Sequence, residues 1–365
     1  MSNVFRVPPV SSLSSLPRHL QVSNGIKDAI RKHGLNLGDR LPSEQRLADM
    51  SCVAVLTVRR ALVDLVREGI IEKKIGKGIY IKKTISVAGA RIGLTVLDTM
   101  ARVTSHPAIL SLIKGISEVF DQKKYHLEIL FITSEMIRHA NWSKITNCEG
   151  LDGAIVFAQE VPDKIISELR ARTKCVVCAN RFNQSESPLI AFRAMARELA
   201  DHLLHLGHQR IALVNGPENI EISGEVFLGY ETSLESAGIA VKPEWVGNSD
   251  YNHRGGFEWT LKIMKQKNRP TALIMGDDFM ALGALDALRQ LRLRCPDDVS
   301  VVSFNDFDCA KTSAPPLTTM RIDFNKFGQM LARQIAALLE GSEKISKKSL
   351  KGKLILRSSS GPVRQ

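Results

Sequence analysis

The stretch "LPSEQRLADMSCVAVLTVRRALVDLVREGIIEKKIGKGIYI" occupies residues 41–81 and changes from a helical to a strand-like spacing of apolar residues. Ser43 predicts the N-cap of a short amphipathic helix, because its side chain can accept a hydrogen bond from a backbone N–H of the first turn. A second helix is predicted after "SCVA", and Gly69 marks its C-terminal end. The apolar face of this second helix is predicted to consist of Val58, Leu62, Leu65 and Val66.

The end of the stretch, "IIEKKIGKGIYI", alternates apolar and polar residues and predicts two antiparallel strands. Gly76 and Gly78 permit a tight turn around Lys77, so the hairpin would form a basic wing. Helix, turn, helix and wing is the order of a DNA-binding unit. In such a unit the second helix can enter the major groove, and the wing can follow the phosphate backbone.

Charge is concentrated around this unit. The 365-residue chain has a net charge of +12, and residues 1–83 alone hold 15 Lys and Arg against 7 Asp and Glu. A basic N-terminal unit predicts a polyanionic partner, and nucleic acid is favoured over anionic lipid because no basic amphipathic helix with an aromatic face accompanies it. The length predicts two or three folding units.

Residues 17–83 resemble the winged helix-turn-helix of GntR-family transcription regulators. The resemblance is carried by "GDRLPS", "EQRLA", "TVRRAL", "EGII" and "GKGIYI", in that order and spacing. It implies that the first helix and the start of the second approach DNA, and that the wing reaches the backbone or the minor groove. The residues implicated are Ser43, Gln45, Arg46, Leu56, Thr57, Arg59, Arg60, Lys77 and Gly78.

Two departures from the GntR pattern affect the expected operator. Gln45 stands where the family usually has an arginine, and Ala54 and Val55 stand where it often has Ser-Arg. Glutamine can pair bidentately with adenine, whereas valine can only pack against a thymine methyl group. The operator is therefore expected to differ from the common family site.

Beyond residue 91 the chain alternates strand-like and helical segments, which predicts an α/β domain with parallel sheets. The strand-like runs are "RIGLTVLD", "HLEILFI", "DGAIVFA", "CVVCAN", "RIALVNG", "PTALIMG" and "VSVVSFND". Longer helices are predicted over 108–123 and 194–206, and residues 84–90 predict a hinge linker because they are small and lack a periodic face.

Much of residues 189–330 resembles the regulatory domain of LacI/GalR-family proteins. The matching stretches are "HLLHLGHQRIALVNGP", "GYETSLESAGI", "PTALIMGDDFMALGALDAL", "CPDDVSVVSFND" and "APPLTTMRIDFNKFG". The resemblance implies a two-lobed, periplasmic-binding-protein-like (type I) domain over 91–358. The N-lobe would comprise 91–190 and 322–345, and the C-lobe 191–321 and 350–358. A GntR-type unit joined to such a domain resembles arabinose-repressor-type regulators.

The resemblance also implies an effector cleft at the carboxyl ends of the strands, where ligands of open α/β sheets bind. A sugar-like effector needs an aromatic ring for its C–H face and polar groups for its hydroxyls. The candidate effector-binding residues are Asp98, Thr99, Arg181, Tyr251, Asp277 and Asn305. Val226 stands where the family commonly has a ligand-binding arginine. No particular sugar is therefore implied.

No metal or cofactor site is predicted. "CVVC" at 175–178 has a metal or redox spacing, but residues i and i+3 of a strand face opposite sides. His202 and His205 could share a helix face, but a pair alone lacks the further ligands of a zinc site. The scattered cysteines, the lack of an apolar signal segment and the lack of a membrane-spanning run predict a cytoplasmic protein.

Two other classes of function compete with DNA-binding regulation. A sugar- or solute-binding protein would keep the second domain but should carry a signal peptide and lack the basic unit. A carbohydrate-processing α/β enzyme would need a catalytic or nucleotide-binding motif, and neither GxGxxG nor GxxxxGK[ST] occurs. The sequence thus predicts a non-enzymatic, ligand-responsive repressor that binds a palindromic DNA operator as a homodimer.

Overall fold

A computed structural model describes residues 5–11, 16–32, 35, 37–74, 76–82, 89–97, 106–132, 150–157, 161–180, 188–342 and 348–364. Helices and strands alternate over most of this length. In chain order they are α1 (Arg18–Lys32), α2 (Glu44–Ser51), α3 (Val55–Arg67), β1 (Ile71–Lys74), β2 (Gly78–Ile81), β3 (Arg91–Leu97), α4 (Pro107–Lys123), β4 (His126–Ile132), β5 (Gly153–Val156), α5 (Asp163–Arg172), β6 (Cys175–Cys178), β7 (Leu189–Ile190), α6 (Phe192–His205), β8 (Ile211–Asn215), α7 (Glu221–Ser236), β9 (Val246–Asn248), α8 (His253–Met264), β10 (Ala272–Met275), α9 (Asp278–Gln290), β11 (Ser300–Asn305), α10 (Asp308–Thr312), β12 (Thr318–Arg321), α11 (Phe324–Leu339), β13 (Ser349–Leu350) and β14 (Lys353–Ile355).

The helices α1–α3 and the antiparallel hairpin β1–β2 form the winged helix around one hydrophobic core. Ser43 caps α2 as predicted, since its Oγ accepts a hydrogen bond from the backbone N–H of Arg46 at 3.3 Å. The helix α3 ends at Arg67, and Gly69 follows with φ +71°. The core side chains include Ile26, Leu47, Val58, Leu62 and Leu65. Full burial of such a side chain contributes about 1.5–3 kcal/mol.

The predicted apolar face of α3 was wrong at Val66, which is 43% exposed. Val66 follows Val58 by eight residues and is therefore rotated by about 80° around the helix. Ala61 lies on the other side of the stripe and is fully buried. The covered stripe of α3 is thus centred on Val58 and Leu65, and Val66 falls outside it.

The N-lobe is built on a four-stranded parallel sheet in the order β4-β3-β5-β6. The helix α4 begins one residue before its predicted start and packs along α11, which also contacts β5 and β6. The helix α11 comes late in the chain, so the N-lobe combines two separate segments of sequence.

The C-lobe is built on a six-stranded sheet in the order β14-β12-β11-β10-β8-β9. The strands β8 to β12 run parallel, and β14 pairs antiparallel with β12. Each apolar run predicted as a strand forms one, in this sheet or in that of the N-lobe. Because β8 to β12 are parallel, their carboxyl ends meet at one edge of the C-lobe.

The helices α8 and α9 of the C-lobe pack closely because a glycine lies at their contact. A Cβ atom added at Gly283 would lie 1.9 Å from the carbonyl oxygen of His253, so the two helices would have to separate. Gly224, on α7, has no atom within 4 Å of the corresponding position.

We expect Gly283→Ala to lower the free energy of unfolding of the C-lobe by more than 2 kcal/mol, in the range of overpacked cores. Gly224→Ala should raise it by roughly 0.5–1 kcal/mol, since alanine is the better helix former. Urea unfolding of both variants measures the contrast. A Gly283→Ala protein as stable as Gly224→Ala would contradict the close helix contact.

Candidate functional site

Glu44, the first residue of α2, is hydrogen-bonded to one cation on α3 and one on β1. Its Oε2 accepts a hydrogen bond from Nε of Arg59 on α3 at 2.7 Å, and its Oε1 accepts one from the ammonium of Lys73 on β1. These two bonds, that from Arg59 first, hold the pKa of Glu44 below its ordinary value. The first turn of α3 and the wing are therefore fixed relative to the start of α2.

The DNA-binding residues predicted in the two helices lie close together in sequence and differ in what they contact. The amide nitrogen of Gln45 donates to Oδ1 of Asp49, one turn along α2, at 3.0 Å. Arg46, Arg59 and Arg60 are exposed, and Thr57 is half-buried. The hydrogen bond to Glu44 brings Arg59 next to the start of α2.

A basic residue that was not identified from the sequence, Arg40, lies against the wing. Gly78 has φ +119°, and a Cβ atom there would lie 2.8 Å from Nε of Arg40. Arg40 is bridged to Tyr80 of β2, and the hydroxyl of Tyr80 donates to the carbonyl of Lys77 at 2.9 Å. Gly78 thus lets the guanidinium of Arg40 lie against the wing beside Lys77. Neither Arg40 nor Glu44 has a signal in the hydrophobic periodicity, because both act through tertiary contacts.

At the edge of the C-lobe sheet, the structure brings Asp277 and Asn305 together. They follow β10 and end β11, which are neighbours, and Nδ2 of Asn305 lies 3.5 Å from Oδ2 of Asp277. The other oxygen of Asp277 caps α9 by accepting from the backbone N–H of Met280 at 3.0 Å. The Asp277 side chain therefore serves both as a helix cap and as part of the polar edge of the C-lobe sheet.

Burial decides the charge of Asp277, which is 1% exposed. Loss of solvation raises its pKa to about 8, although the bond from Met280 acts in the opposite direction. Nε2 of His106 lies 3.9 Å from Oδ2 of Asp277, and burial lowers the pKa of His106. Both shifts favour the neutral forms, so burial favours a polar contact over an ion pair here.

His106 brings the N-lobe to this edge of the C-lobe sheet and was not identified from the sequence. It precedes α4, and its ring meets Phe279 and Phe307 of the C-lobe edge-on at centroid distances of 5.8 and 5.2 Å. The ring of Phe307 also lies 6.4 Å from that of Phe324 at the start of α11. An aromatic wall therefore lies beside the Asp277 carboxyl, between residues of the two lobes.

Tyr251 lies at the same edge, over the end of β8. A Cβ atom added at Gly216, directly after β8, would lie 2.1 Å from Cζ and from the hydroxyl oxygen of the Tyr251 ring. The hydroxyl lies 3.5 Å from Oγ of Ser223 on α7. Since β8 adjoins β10, the ring and the Asp277 carboxyl lie on one continuous edge.

The backbone at the end of β11 is strained. Asn305 has φ +103° and Asp306 has φ +59°, a region that residues with a Cβ atom rarely adopt. The carboxylate of Asp306 accepts from Nε of Arg321 at 2.6 Å and from the guanidinium of Arg357 at 2.5 Å. These contacts hold the strained turn in place and so orient Asn305 toward Asp277.

The remaining residues named from the sequence are three predicted effector contacts and Val226, which replaces a ligand-binding arginine of the family. Asp98, Thr99 and Arg181 lie outside the described residues. Val226 is buried in the core beside α6 and β8. It therefore packs within the lobe and does not line its polar edge.

The side chains of the two motifs with metal-like spacing are held by packing and by hydrogen bonds. Cys175 and Cys178 pack into different hydrophobic clusters on the two faces of β6, and burial raises the pKa of Cys175 to about 12. His202 and His205 are hydrogen-bonded to Ser360 and to the carbonyl of Asp201. Within the described residues, no three His, Cys, Asp or Glu side chains are placed to hold a metal ion.

The N-terminal and the C-terminal regions of the chain match two known protein families. Residues 19–81 match the family described as "Bacterial regulatory proteins, gntR family", and residues 200–360 match "Periplasmic binding protein-like domain". The chain joins a GntR-type domain to a periplasmic-binding-protein-like domain. The resemblances predicted from the sequence motifs are thereby confirmed.

Relatives and solved structures agree with this assignment. The HTH-type transcriptional repressor PurR of Haemophilus influenzae (strain PittEE) is 32% identical over 162 residues, which cover 43% of this chain and 48% of that protein. The chain thus spans about half the length of this relative. The crystal structure of a putative transcriptional regulator LacI from Bacillus cereus subsp. cytotoxis NVH 391-98 has a TM-score of 0.67 at 24% identity, over 74% of this chain and 98% of that one.

A third likeness extends over more of the chain. A transcriptional regulator CelR–cellobiose complex has a TM-score of 0.69 at 18% identity, over 87% of this chain and all of that one. All three are named as transcriptional regulators or repressors. Among the described residues, no helix is both long and apolar enough to cross a membrane.

Proposed function

We propose that this protein is a ligand-responsive transcription regulator, a repressor whose affinity for its DNA operator is set by a small sugar-like effector. The observation that carries the proposal is the union, in one chain, of a GntR-type winged helix with exposed cations and a two-lobed domain with a polar, aromatic-lined edge. Either part alone would fit another function. Only a regulator needs both.

The relatives support each half of the proposal. The relative from Haemophilus influenzae is named a transcriptional repressor, and the CelR structure contains cellobiose. In this chain, we assign effector binding to Tyr251, Asp277 and Asn305. A ring over one strand end and two polar groups at neighbouring strand ends provide the stacking surface and hydrogen bonds that a sugar requires.

DNA binding is assigned to the exposed face shared by α2, α3 and the wing. Its cations are suited to phosphate contacts, and the first turn of α3 is suited to the major groove. The contributing residues are Ser43, Gln45, Arg46, Leu56, Thr57, Arg59, Arg60, Lys77 and Gly78. Glu44 and Arg40 are added as residues that position this surface.

The regulatory arrangement completes the proposal. We place the protein in the cytoplasm and propose a homodimer on a palindromic operator, because two-fold symmetry of the protein imposes two-fold symmetry on its site. Effector binding would change the closure of the two lobes and, through the hinge at 84–90, the spacing of the paired winged helices. Residues 84–88 of the hinge lie outside the described residues.

Salt-dependent DNA binding tests the proposal. We expect the full-length protein to bind DNA from a random-sequence duplex pool with an affinity that falls steeply with salt, because phosphate contacts release counterions. Fluorescence anisotropy measures this, and sequencing of the bound fraction should yield an inverted repeat. A solute-binding protein or an enzyme would show no salt-sensitive binding, and that result would contradict the proposal.

Arg59→Ala and Arg60→Ala should weaken binding in different ways. The two residues are adjacent and therefore about 100° apart around α3, so one is expected to contact a base and the other a phosphate. Loss of the base contact should cost about 1–3 kcal/mol and relax preference at one position, whereas loss of the phosphate contact should lower the salt slope by about one.

Arg254→Ala is the matched control for these two variants. Arg254 is an exposed arginine on α8 of the C-lobe, paired with Glu258 at 2.7 Å. Its removal changes the net charge by the same amount and should leave DNA binding intact. If all three variants bind DNA with the affinity and the salt slope of the wild type, α3 is not part of the DNA interface.

A further inference from the structure

The first turn of α3 presents a large apolar side chain to solvent. Leu56 is 74% exposed and lies on the face of the helix opposite the buried Val58. Arg59 and Arg60, at i+3 and i+4, share the exposed face with Leu56. Isolated exposed leucines are common, but this one is flanked by two cations on a surface suited to a polyanion.

The side chains next to Leu56 are short or half-buried, so Leu56 projects furthest from this turn. Ala54, the N-cap, makes no side-chain cap hydrogen bond, and Val55 is half-buried against the core. Thr57 is half-buried as well. Of the residues at the start of the helix, Leu56 alone therefore combines a long side chain with high exposure. Val55, which the sequence suggested for this contact, is turned toward the core.

The chemistry of the major groove identifies the partner of such a side chain. The N-terminal residues of a recognition helix contact base edges there, and the apolar group that those edges present is the C5-methyl of thymine. We infer that Leu56 is a specificity-determining residue that packs against a thymine methyl group in each half of the operator. This inference rests on the proposed DNA-binding function.

Replacing thymine by uracil tests the contact directly, because uracil lacks only the methyl group and keeps both base pairing and the O4 acceptor. The duplex to use is one selected from the random pool by wild-type protein, remade with uracil at one thymine position at a time. Loss of one buried methyl group should weaken wild-type binding about fourfold at one position of each half-site. At that position, Leu56→Ala should bind the thymine and uracil duplexes equally.

Val63→Ala is the matched control, since Val63 lies on the same exposed face seven residues further along α3 and is 55% exposed. It should keep the wild-type preference for thymine. Unchanged melting temperatures of both variants would show that the fold is intact, as their exposure leads us to expect.

The outcomes separate the inference from the function on which it rests. A wild-type protein that binds thymine and uracil duplexes equally at every position, or a Leu56→Ala protein that still prefers thymine, would overturn the inference alone. A wild-type protein with no salt-sensitive binding to any duplex would overturn the proposed function as well.

Discussion

Replacing Asp277 with Asn is expected to stabilise the C-lobe at pH 8 by on the order of 5 kcal/mol, and to change its stability little below pH 4. Burial raises the pKa of Asp277 from 3.8 to about 8. Between these values the unfolded chain has released a proton that the folded chain still holds. Wild-type stability therefore receives a decreasing contribution from this group as pH rises from about 4 to 8.

Asparagine removes that pH dependence and keeps the local contacts. Its carbonyl can accept from the backbone N–H of Met280, as Oδ1 of Asp277 does, and asparagine is a favourable N-cap residue. The stability difference between variant and wild type should thus grow with pH. His106, whose pKa is lowered by burial, opposes folding increasingly as pH falls through its unfolded value of about 6.5, but it contributes to both proteins.

Asp278→Asn is the informative control, because the neighbouring carboxyl has different partners. Ser303 and Thr319 donate to its Oδ1 at 2.5 and 2.9 Å, and the backbone N–H of Phe307 donates to its Oδ2 at 2.7 Å. An amide nitrogen in place of Oδ2 would face the Phe307 N–H, and one in place of Oδ1 would require both hydroxyls to turn and accept. Burial raises the pKa of Asp278 only to about 6, so this variant should gain less stability at pH 8 than Asp277→Asn.

Urea unfolding at pH 5, 6, 7 and 8, followed by tryptophan fluorescence, measures these differences. Trp245 and Trp259 lie in the C-lobe, and a shared Trp142→Phe background limits the signal to them. A stability difference between Asp277→Asn and wild type that stays constant from pH 5 to pH 8 would show that Asp277 does not titrate abnormally.

The sequence predicted the sheets well because buried parallel strands are continuous apolar runs. "RIALVNG" and "PTALIMG" form β8 and β10. A strand that is apolar on both faces is stable where both faces of its sheet are covered. The two-residue strands β7 and β13 had no such signal, as they exist through pairing with each other. Val66 was misplaced for a related reason, because periodicity does not show how wide a stripe the neighbouring elements cover.

For the candidate sites, sequence position predicted residues at strand ends but not their partners. Asp277 and Asn305 each follow an apolar run, so the parallel sheet places them side by side. His106 precedes Pro107, a residue typical of a helix start, but its approach to Asp277 depends on how the two lobes meet. Glu44 likewise meets Arg59 and Lys73 only after the wing folds back on α2.

Tyr251→Ala is expected to weaken effector binding about tenfold or more, while operator binding without effector survives. An aromatic ring stacked on a ligand and a buried hydrogen bond are each worth about 1 kcal/mol. Tyr251 lies in the C-lobe, outside the winged helix. The effector would first be identified as the member of a panel of sugars and sugar derivatives that raises the melting temperature of the wild-type protein.

Gly216→Ala tests the position of the ring by a second route. The added methyl group would overlap the far end of the Tyr251 side chain, which can swing away without disturbing the strand. The displaced ring should then fail to cover the effector, so Gly216→Ala should lose affinity although no effector contact is removed. Tyr251→Phe, which keeps the ring and loses only the hydroxyl near Ser223, should lose less.

The double variant Gly216→Ala/Tyr251→Ala makes the test decisive, because two changes that act through one ring cannot add. It should bind the effector no more weakly than Tyr251→Ala alone. Calorimetry measures the four affinities, and a gel shift confirms that each protein still binds DNA. Fully additive losses would mean that Gly216 acts independently of the ring. Wild-type effector affinity in Tyr251→Ala would place the effector elsewhere in the cleft.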